Sequence, residues 1–446
     1  MALPQDQSLR AVSASREIRL VWWPPGSLDC IRRSAREIPN HRLNQRPTRS
    51  EILVRNVKLP SDAPLAHCAS DKSSPYVVEI GSSIDEQYLR ETWLDFESSA
   101  SAFQKLSFVE GLYRLASAQG KRQPVIVSVR ERRSGMIILI AALSRRRRFG
   151  LTIVEAADCS LCDYFVPLTS PGRLYDTDEV RSMWAEICRA LQPADAIIIK
   201  KIPDALFGYP NIAMQFPGLK PMASCARAIR LKVGPGASSG WRKRAAFKDA
   251  AKKLRRMQRH GSVEFDFANS PAEIAAAFDQ LVYHRMRRFE RLRRSDLLQE
   301  KGIVQFYRAL AERGLTDGSA RVFRLKLNGE LLAIAFVLLH RNTMSMVILT
   351  MTAEKRWEPF SPGLVATKMI ADWAEEKGLS YLDISVGDFS YKSRMTPSVR
   401  PLYELSTAFS ARGALAVANA ELRRRYRTIM SAYPGLDGYI RLALKK

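Results

Sequence analysis

An order of secondary-structure signals that occurs twice constrains this chain more than any other feature. Tyr76-Val-Val-Glu-Ile80 reads as a strand, helical periodicity follows over 84–98 and 103–118, and Pro124–Arg130 with Met136–Ile140 form the arms of a hairpin. A strand at 151–155, a loop carrying Ser170-Pro171-Gly172, a helix over 178–190 and strands at 196–199 and 226–232 complete the run. The order then returns. Ser262–Phe267 is a strand, helices span 271–294 and 301–313, and a hairpin turns at Asn328-Gly329, a strong turn signal. Met344–Leu349, a loop with Ser361-Pro362-Gly363, a helix and the strand Tyr381–Ser385 close the second run. An offset of about 190 residues superposes the two sets, and chance does not align so many elements in order.

The expected fold class is therefore α/β, with two tandem mixed-sheet units. At 446 residues the chain is also long for a single core. The boundaries read as a polar tail over 1–73, disordered or unassigned by composition, a first unit over 74–233, a basic linker helix over 234–260, a second unit over 261–432 and a short tail over 433–446.

A formal net charge of +25 favours anionic partners, which include nucleic acid, phosphate-bearing substrates and an acidic membrane surface. The six cysteines make no disulfide framework, which points to a reducing cytoplasm. Cys159-Ser-Leu-Cys162 has half a zinc site's spacing but no second pair, so no metal is expected. The apolar runs Met136–Leu143 and Leu331–Leu339 are strand-length, far short of the ~18 residues of a membrane span. Leu20-Val-Trp-Trp23 runs into Pro24-Pro25 and is too short for a signal peptide. A cytoplasmic protein is expected, with peripheral contact at the inner membrane face left open, as is the oligomeric state.

Ser361-Pro362-Gly363 is built as a helix start: Ser361 can cap, and Pro362 suits the first helical position. Gly363 weakens that helix by roughly 1 kcal/mol relative to Ala, which calls for a reason. The amides of a first helical turn lack partners and carry the positive end of the dipole, so an anion brought close is one reason. The first copy differs, because Asp176, Asp178 and Glu179 near its helix start would repel an anion. Gly236-Ala-Ser-Ser-Gly240 matches a nucleophile elbow, but the duplicated unit lacks the hydrolase sheet that motif needs.

The element order resembles the GNAT acyltransferase fold, in which a loop after the fourth strand holds the pyrophosphate of acetyl-CoA. More narrowly, His284-Arg-Met-Arg287, Phe360-Ser-Pro-Gly363, Asp383-Ile-Ser-Val-Gly387-Asp388 and Tyr391-Lys392 resemble the GNAT-like acyltransferases of the cellulose and exopolysaccharide biosynthesis (CelD/BcsL) group. In the first half Ala102-Phe-Gln104 and Asp163-Tyr164 are similar to that group's N-terminal pattern. The family's loop carries two glycines where this chain has one.

The resemblance implies an acyltransferase using acetyl-CoA or another acyl-CoA, bound in the second half by Arg356, Ser361, Gly363 and Leu364. It implies an acceptor among anionic small molecules or lipid-linked sugars. The candidate catalytic residues are His284, Asp383, Asp388 and Tyr391. Tyr391 is placed as general acid near the CoA sulfur, and His284 and Asp388 compete as general base. Asp383, inside a strand between Leu382 and Ile384, would orient His284 or an arginine. Arg287 and Lys392 are candidate substrate contacts, although Arg287 lies on an arginine-rich helix where a solvated face explains it equally. The basic stretch Trp241–Arg259 reads as a nucleic-acid, lipid or acceptor contact, or as an interdomain helix with Ala245, Phe247, Leu254 and Met257 inside. Two rivals stand beside the acyl-CoA reading: a Fem-like transferase taking its acyl group from charged tRNA, and a non-catalytic module that binds nucleic acid or anionic lipid.

Overall fold

The first half builds strands β1 (Tyr76–Gly81), β2 (Gln123–Glu131), β3 (Ile137–Arg148), β4 (Leu151–Ala156), β5 (Ala196–Pro203) and β6 (Leu219–Arg230). Its helices are α1 (Gln87–Phe96), α2 (Leu106–Gln119) and α3 (Thr177–Ala190), and α4 (Ala245–Gln258) leads to the second half. There β7 (Val263–Phe267), β8 (Ala320–Leu327), β9 (Glu330–His340), β10 (Thr343–Met351), β11 (Tyr381–Val386) and β12 (Arg400–Ala408) alternate with α5 (Pro271–Arg291), α6 (Ile303–Asp317), α7 (Pro362–Glu376) and the short α8 (Ser390–Met395). Helix α9 (Ala411–Ala432) ends the described chain. This computed structural model describes residues 74–234, 237–238, 240–293, 295–387 and 389–432. The expected tails and the candidate Asp388 lie outside the described residues. Up to Thr428, the described residues fall in one compact unit, Ile52–Thr428.

All these strands join one mixed sheet in the order β1-β2-β3-β4-β5-β12-β6-β11-β10-β9-β8-β7. Pairing is antiparallel except at β4–β5 and β10–β11, the two strand pairs bridged by α3 and α7. The closing strands are exchanged. β6 of the first half lies beside β11 (Leu382 opposite Ile229), and β12 of the second half lies beside β5 (Ser406 opposite Ile198). The sequence reading ended the first half with a strand at 226–232. The observed strand starts earlier, at Leu219, because its first residues pair with β12, with Leu405 opposite Leu219.

The core also crosses between the halves. Trp93, Phe103, Phe108 and Leu112 share one buried cluster with Phe278, Phe306, Tyr307 and Phe336. Phe108 meets Phe306 edge-on at 5.2 Å between ring centroids, and a Cβ added to Gly111 would lie 2.8 Å from the Phe306 ring. Close-packed aromatic contact of this kind joins the two halves in one core.

Helix α5 shows how sequence places a functional side chain. Ser270 caps it by accepting from the Glu273 amide at 3.3 Å, and Pro271 occupies its first turn. Ile274, Ala277, Phe278 and Leu281 form the buried stripe, and His284 continues it. Helix α4 buries Ala246, Phe247, Ala250 and Met257, leaving Lys and Arg outside; Ala245, expected inside, is exposed because the helix starts there and its inner face begins one residue later. Arg242, just before it, pairs with Asp372 and Glu375 of α7.

Candidate active site

β10 and β11 run in parallel for three residue pairs, Thr343–Tyr381, Met344–Leu382 and Ser345–Asp383, and then part. Beyond Ser345, β10 pairs with β9 alone, whose register shifts around the bulged Val347. β11 turns toward β6 through Ser385, a non-glycine residue at φ 73°. A wedge opens between the two strands, and α7, which connects them, starts at the open end. The first half repeats the geometry. β4 and β5 pair only at Ile153–Ala196, Val154–Ile197 and Glu155–Ile198, and Lys201 takes φ 60°.

At the root of the second wedge lies a buried polar cluster built from both halves. Asp383 is fully buried; its Oδ1 accepts from the Tyr164 hydroxyl at 3.0 Å and from the Ser385 amide at 2.9 Å. Its Oδ2 is buried with no hydrogen-bond partner among the described residues. The Ser385 hydroxyl donates to Asp163 at 2.6 Å, and Gln104 donates to the Tyr164 carbonyl at 2.9 Å. Burial pushes the Asp383 carboxyl up to about 6; the Ser385 amide opposes the rise, Asp163 adds to it, and Arg400 opposes it. Lys392 is buried beside this group, and its Nζ donates to the carbonyls of Ser385 and Val386 at 3.1 and 2.9 Å. Burial lowers its pKa, while Asp163 and Asp383 favour its charged form.

The other candidates surround the loop between β10 and α7. His284 Nδ1 accepts from the Ala353 amide at 3.2 Å, so the neutral ring carries its proton on Nε2 and presents a donor. Burial lowers the His284 pKa, Glu354 opposes that, and Arg287 adds to it. Arg291 donates to the Ala353 carbonyl at 2.9 Å, and Arg288 reaches toward Met351. Arg287 is exposed and donates to the Tyr283 hydroxyl. Tyr391 is half exposed and stacks on Phe389 at 5.8 Å; burial raises its pKa, and the charge of Arg288 opposes the rise.

At the start of α7 the structure departs from the sequence expectation. Ser361 sits at the N-cap position with φ 47° and makes no side-chain cap; its Oγ accepts from Lys253 of α4 at 2.7 Å. The amides of Leu364 and Val365 both donate to the Ser361 carbonyl, at 2.9 and 3.2 Å. Gly363 is buried, and a Cβ there would lie 2.5 Å from the Met351 sulfur. Close contact of helix with strand is thus a sufficient reason for this glycine. Arg356 pairs with Glu330 at 2.6 Å, and Trp357 donates to the same carboxylate at 2.7 Å.

The structure therefore brings Asp383 and Lys392 together with Asp163, Tyr164, Ser385 and Gln104. It gathers Arg356, Ser361, Gly363 and Leu364 at the α7 start, and hangs His284 on the loop just before it. Asp383 is oriented by Tyr164, where the sequence reading offered His284 or an arginine. Sequence reasoning passed over Lys253 and Ser385. The signal for Lys253 was the basic stretch itself, whose target on α7 no local pattern reveals.

Residues 243–393, from just before α4 into α8, match a family model described as acetyltransferase (GNAT) domain. A comparison with curated proteins finds no match. Among solved structures, the chain is similar to FemX (TM-score 0.48, 11% identity, 70% of this chain and 95% of that one). It is similar to the C-terminal domain of a putative lysylphosphatidylglycerol synthetase from Agrobacterium fabrum (TM-score 0.47, 13% identity, 75% and 95%). A tandem GNAT protein from the clavulanic acid biosynthesis pathway is also similar (TM-score 0.40, 11% identity, 75% and 99%).

Proposed function

We propose that this GNAT-like protein transfers an acyl group from an acyl-CoA, acetyl-CoA first among them, to an amine or hydroxyl of a sugar or polysaccharide precursor of the cell envelope. The observation that carries this reading is the wedge at β10–β11: parallel contact for three pairs, divergence, and a helix start in basic surroundings at the open end. The stretch matching the GNAT domain spans this wedge. A thioester lying in it would have its carbonyl beside the unshared edge of β10, where backbone amides can hold a developing oxyanion. Lys253, Arg288, Arg291 and Arg356 would balance the donor's phosphates. Tyr391 would return a proton to the departing thiolate. The neutral His284 offers Nε2–H, a donor suited to orienting the acceptor, and this leaves the base to Asp388. Asp383 acts through Tyr164 and Ser385, fixing the strand turn that opens the wedge.

One observation favours a second reading, transfer of an aminoacyl group from charged tRNA. The Leu364 amide turns to the Ser361 carbonyl and Met351 lies against Gly363, so a donor held mainly by contacts away from this helix start fits the site as well. Incubation with acetyl-CoA, or in a parallel arm with aminoacyl-tRNA, beside one panel of nucleotide- and lipid-linked sugars and amino sugars separates the two, with thiol release followed in the first arm. Thiol release coupled to acylated acceptor supports the first reading. Product only from aminoacyl-tRNA moves the function to the second, and no product from either donor excludes both.

A further inference from the structure

The turn joining β3 and β4 departs from the residue preference that the Asn328-Gly329 turn of the second half obeys. Arg148 pairs with Leu151, leaving Phe149-Gly150 as a two-residue loop with φ of 51° and 74°. Positive φ at both positions is the type I′ pattern, which strongly prefers Asn-Gly; the second half has Asn328-Gly329 at 51° and 77° between β8 and β9. A bulky aromatic residue is strained in the left-handed region. Phe149 is also 88% exposed, so in water its ring gives almost nothing back to the fold.

Its surroundings are basic. Arg145–Arg148 run straight into it; Arg146 is held by Glu155 at 2.7 Å, Arg148 lies 5.0 Å above the Phe149 ring, and Arg147 is exposed. The base of this hairpin is tied to the start of α9 through Asp195, which accepts from the Thr152 amide at 2.8 Å and the Ser410 hydroxyl at 2.6 Å. Helix α9 carries an independent anomaly. Leu415, Leu422 and Tyr426 are all exposed, and spacings of seven and four residues put them on one face. Arg412, Arg423, Arg425 and Arg427 are exposed around that stripe, while its acidic neighbour Glu421 is engaged by Lys220, Arg424 and Arg425.

We propose that the β3–β4 hairpin and the outer face of α9 form a docking surface for an anionic lipid bilayer. An aromatic tip among arginines and a helix with aliphatic residues outward and arginines at its edges are the two usual components of interfacial binding. The aliphatic Leu415 and Leu422 favour lipid over nucleic acid, whose phosphates have no use for them. No helix among the described residues is long and apolar enough to cross a membrane. This surface is independent of the donor proposed above.

The test is co-sedimentation of the full chain with vesicles of phosphatidylcholine alone and of phosphatidylcholine with phosphatidylglycerol in equal parts. Binding is expected only to the anionic vesicles. Phe149→Asn installs the residue the turn prefers, so it should raise the melting temperature while weakening vesicle binding on the order of tenfold. Arg147→Glu should weaken it by roughly twentyfold and Leu422→Ser by about fivefold, with the fold intact. Equal binding to neutral vesicles, or indifference to Phe149→Asn, overturns the proposal. So does binding of RNA in place of vesicles with loss in the same variants, or a dimer in sedimentation that Leu422→Ser dissociates.

Discussion

The same tripeptide, Ser-Pro-Gly, serves two different purposes in the two halves. At 170–172 the glycine takes φ +75° with open space where a Cβ would go, so its role is conformational. The helix that follows starts only at Thr177 and closes its own end: Asp176 accepts from the Glu179 amide at 2.7 Å, and Glu179 accepts from the Asp176 amide at 3.2 Å. At 361–363 the glycine is already helical and pressed on Met351, the serine makes no cap, and the nearest side-chain partner is the cation Lys253. Duplication preserved the chain path while the electrostatics of the two helix starts became opposite. One end is filled by its own carboxylates; at the other a lysine is the side chain nearest the helix start.

The largest effect separates shared core from separate halves. Phe306→Ala should cost about 3–5 kcal/mol, and scanning calorimetry should still show a single transition, because Phe108 and Phe306 lie in one cluster. Two resolved transitions would mean that the halves fold as independent bodies.

Asp383 sharpens the comparison at the wedge root. Its folded pKa near 6 stands above its ordinary value of 3.8, so its contribution to stability is complete below pH 4 and is lost as pH rises through 6. Wild type should therefore lose on the order of 2–3 kcal/mol relative to Asp383→Asn over that window. An equal stability difference between the two proteins at pH 4 and pH 7 would contradict a desolvated carboxylate at this position.

The two glycines should respond differently to alanine. Gly363→Ala should cost about 2 kcal/mol, with part recovered when Met351→Ala is added, because the clash is steric. Gly172→Ala should cost about 1 kcal/mol from backbone strain alone, and no neighbouring truncation should restore it. The smallest effect is at the turns, where Phe149→Asn should stabilise by about 0.5 kcal/mol in urea denaturation while Asn328→Phe destabilises.

Much of this was legible in the sequence because it is local. Asn328-Gly329 announces its turn, and the stripe Ile274–Leu281 announces the buried face of α5. The offset between the two runs shows the duplication. What escaped depends on contacts across long separations. The exchange of β6 and β12 needs the two halves placed side by side, and no local residue pattern encodes it. Asp383 was recognisable as a strand residue, but its partner Tyr164 comes from the other half. The reason for Gly363 escaped because Met351 is brought against it only when α7 folds back on β10.

The central claim is that the second half, at the α7 start, binds the acyl donor. Its most direct test is calorimetric titration of acetyl-CoA into wild type, Lys253→Glu and the first-half variant Arg173→Glu. The account predicts saturable binding by wild type, at least tenfold weaker in Lys253→Glu as a charge at the anion's edge is reversed, and unchanged in Arg173→Glu. No binding by wild type, or binding lost in Arg173→Glu and kept in Lys253→Glu, would contradict it.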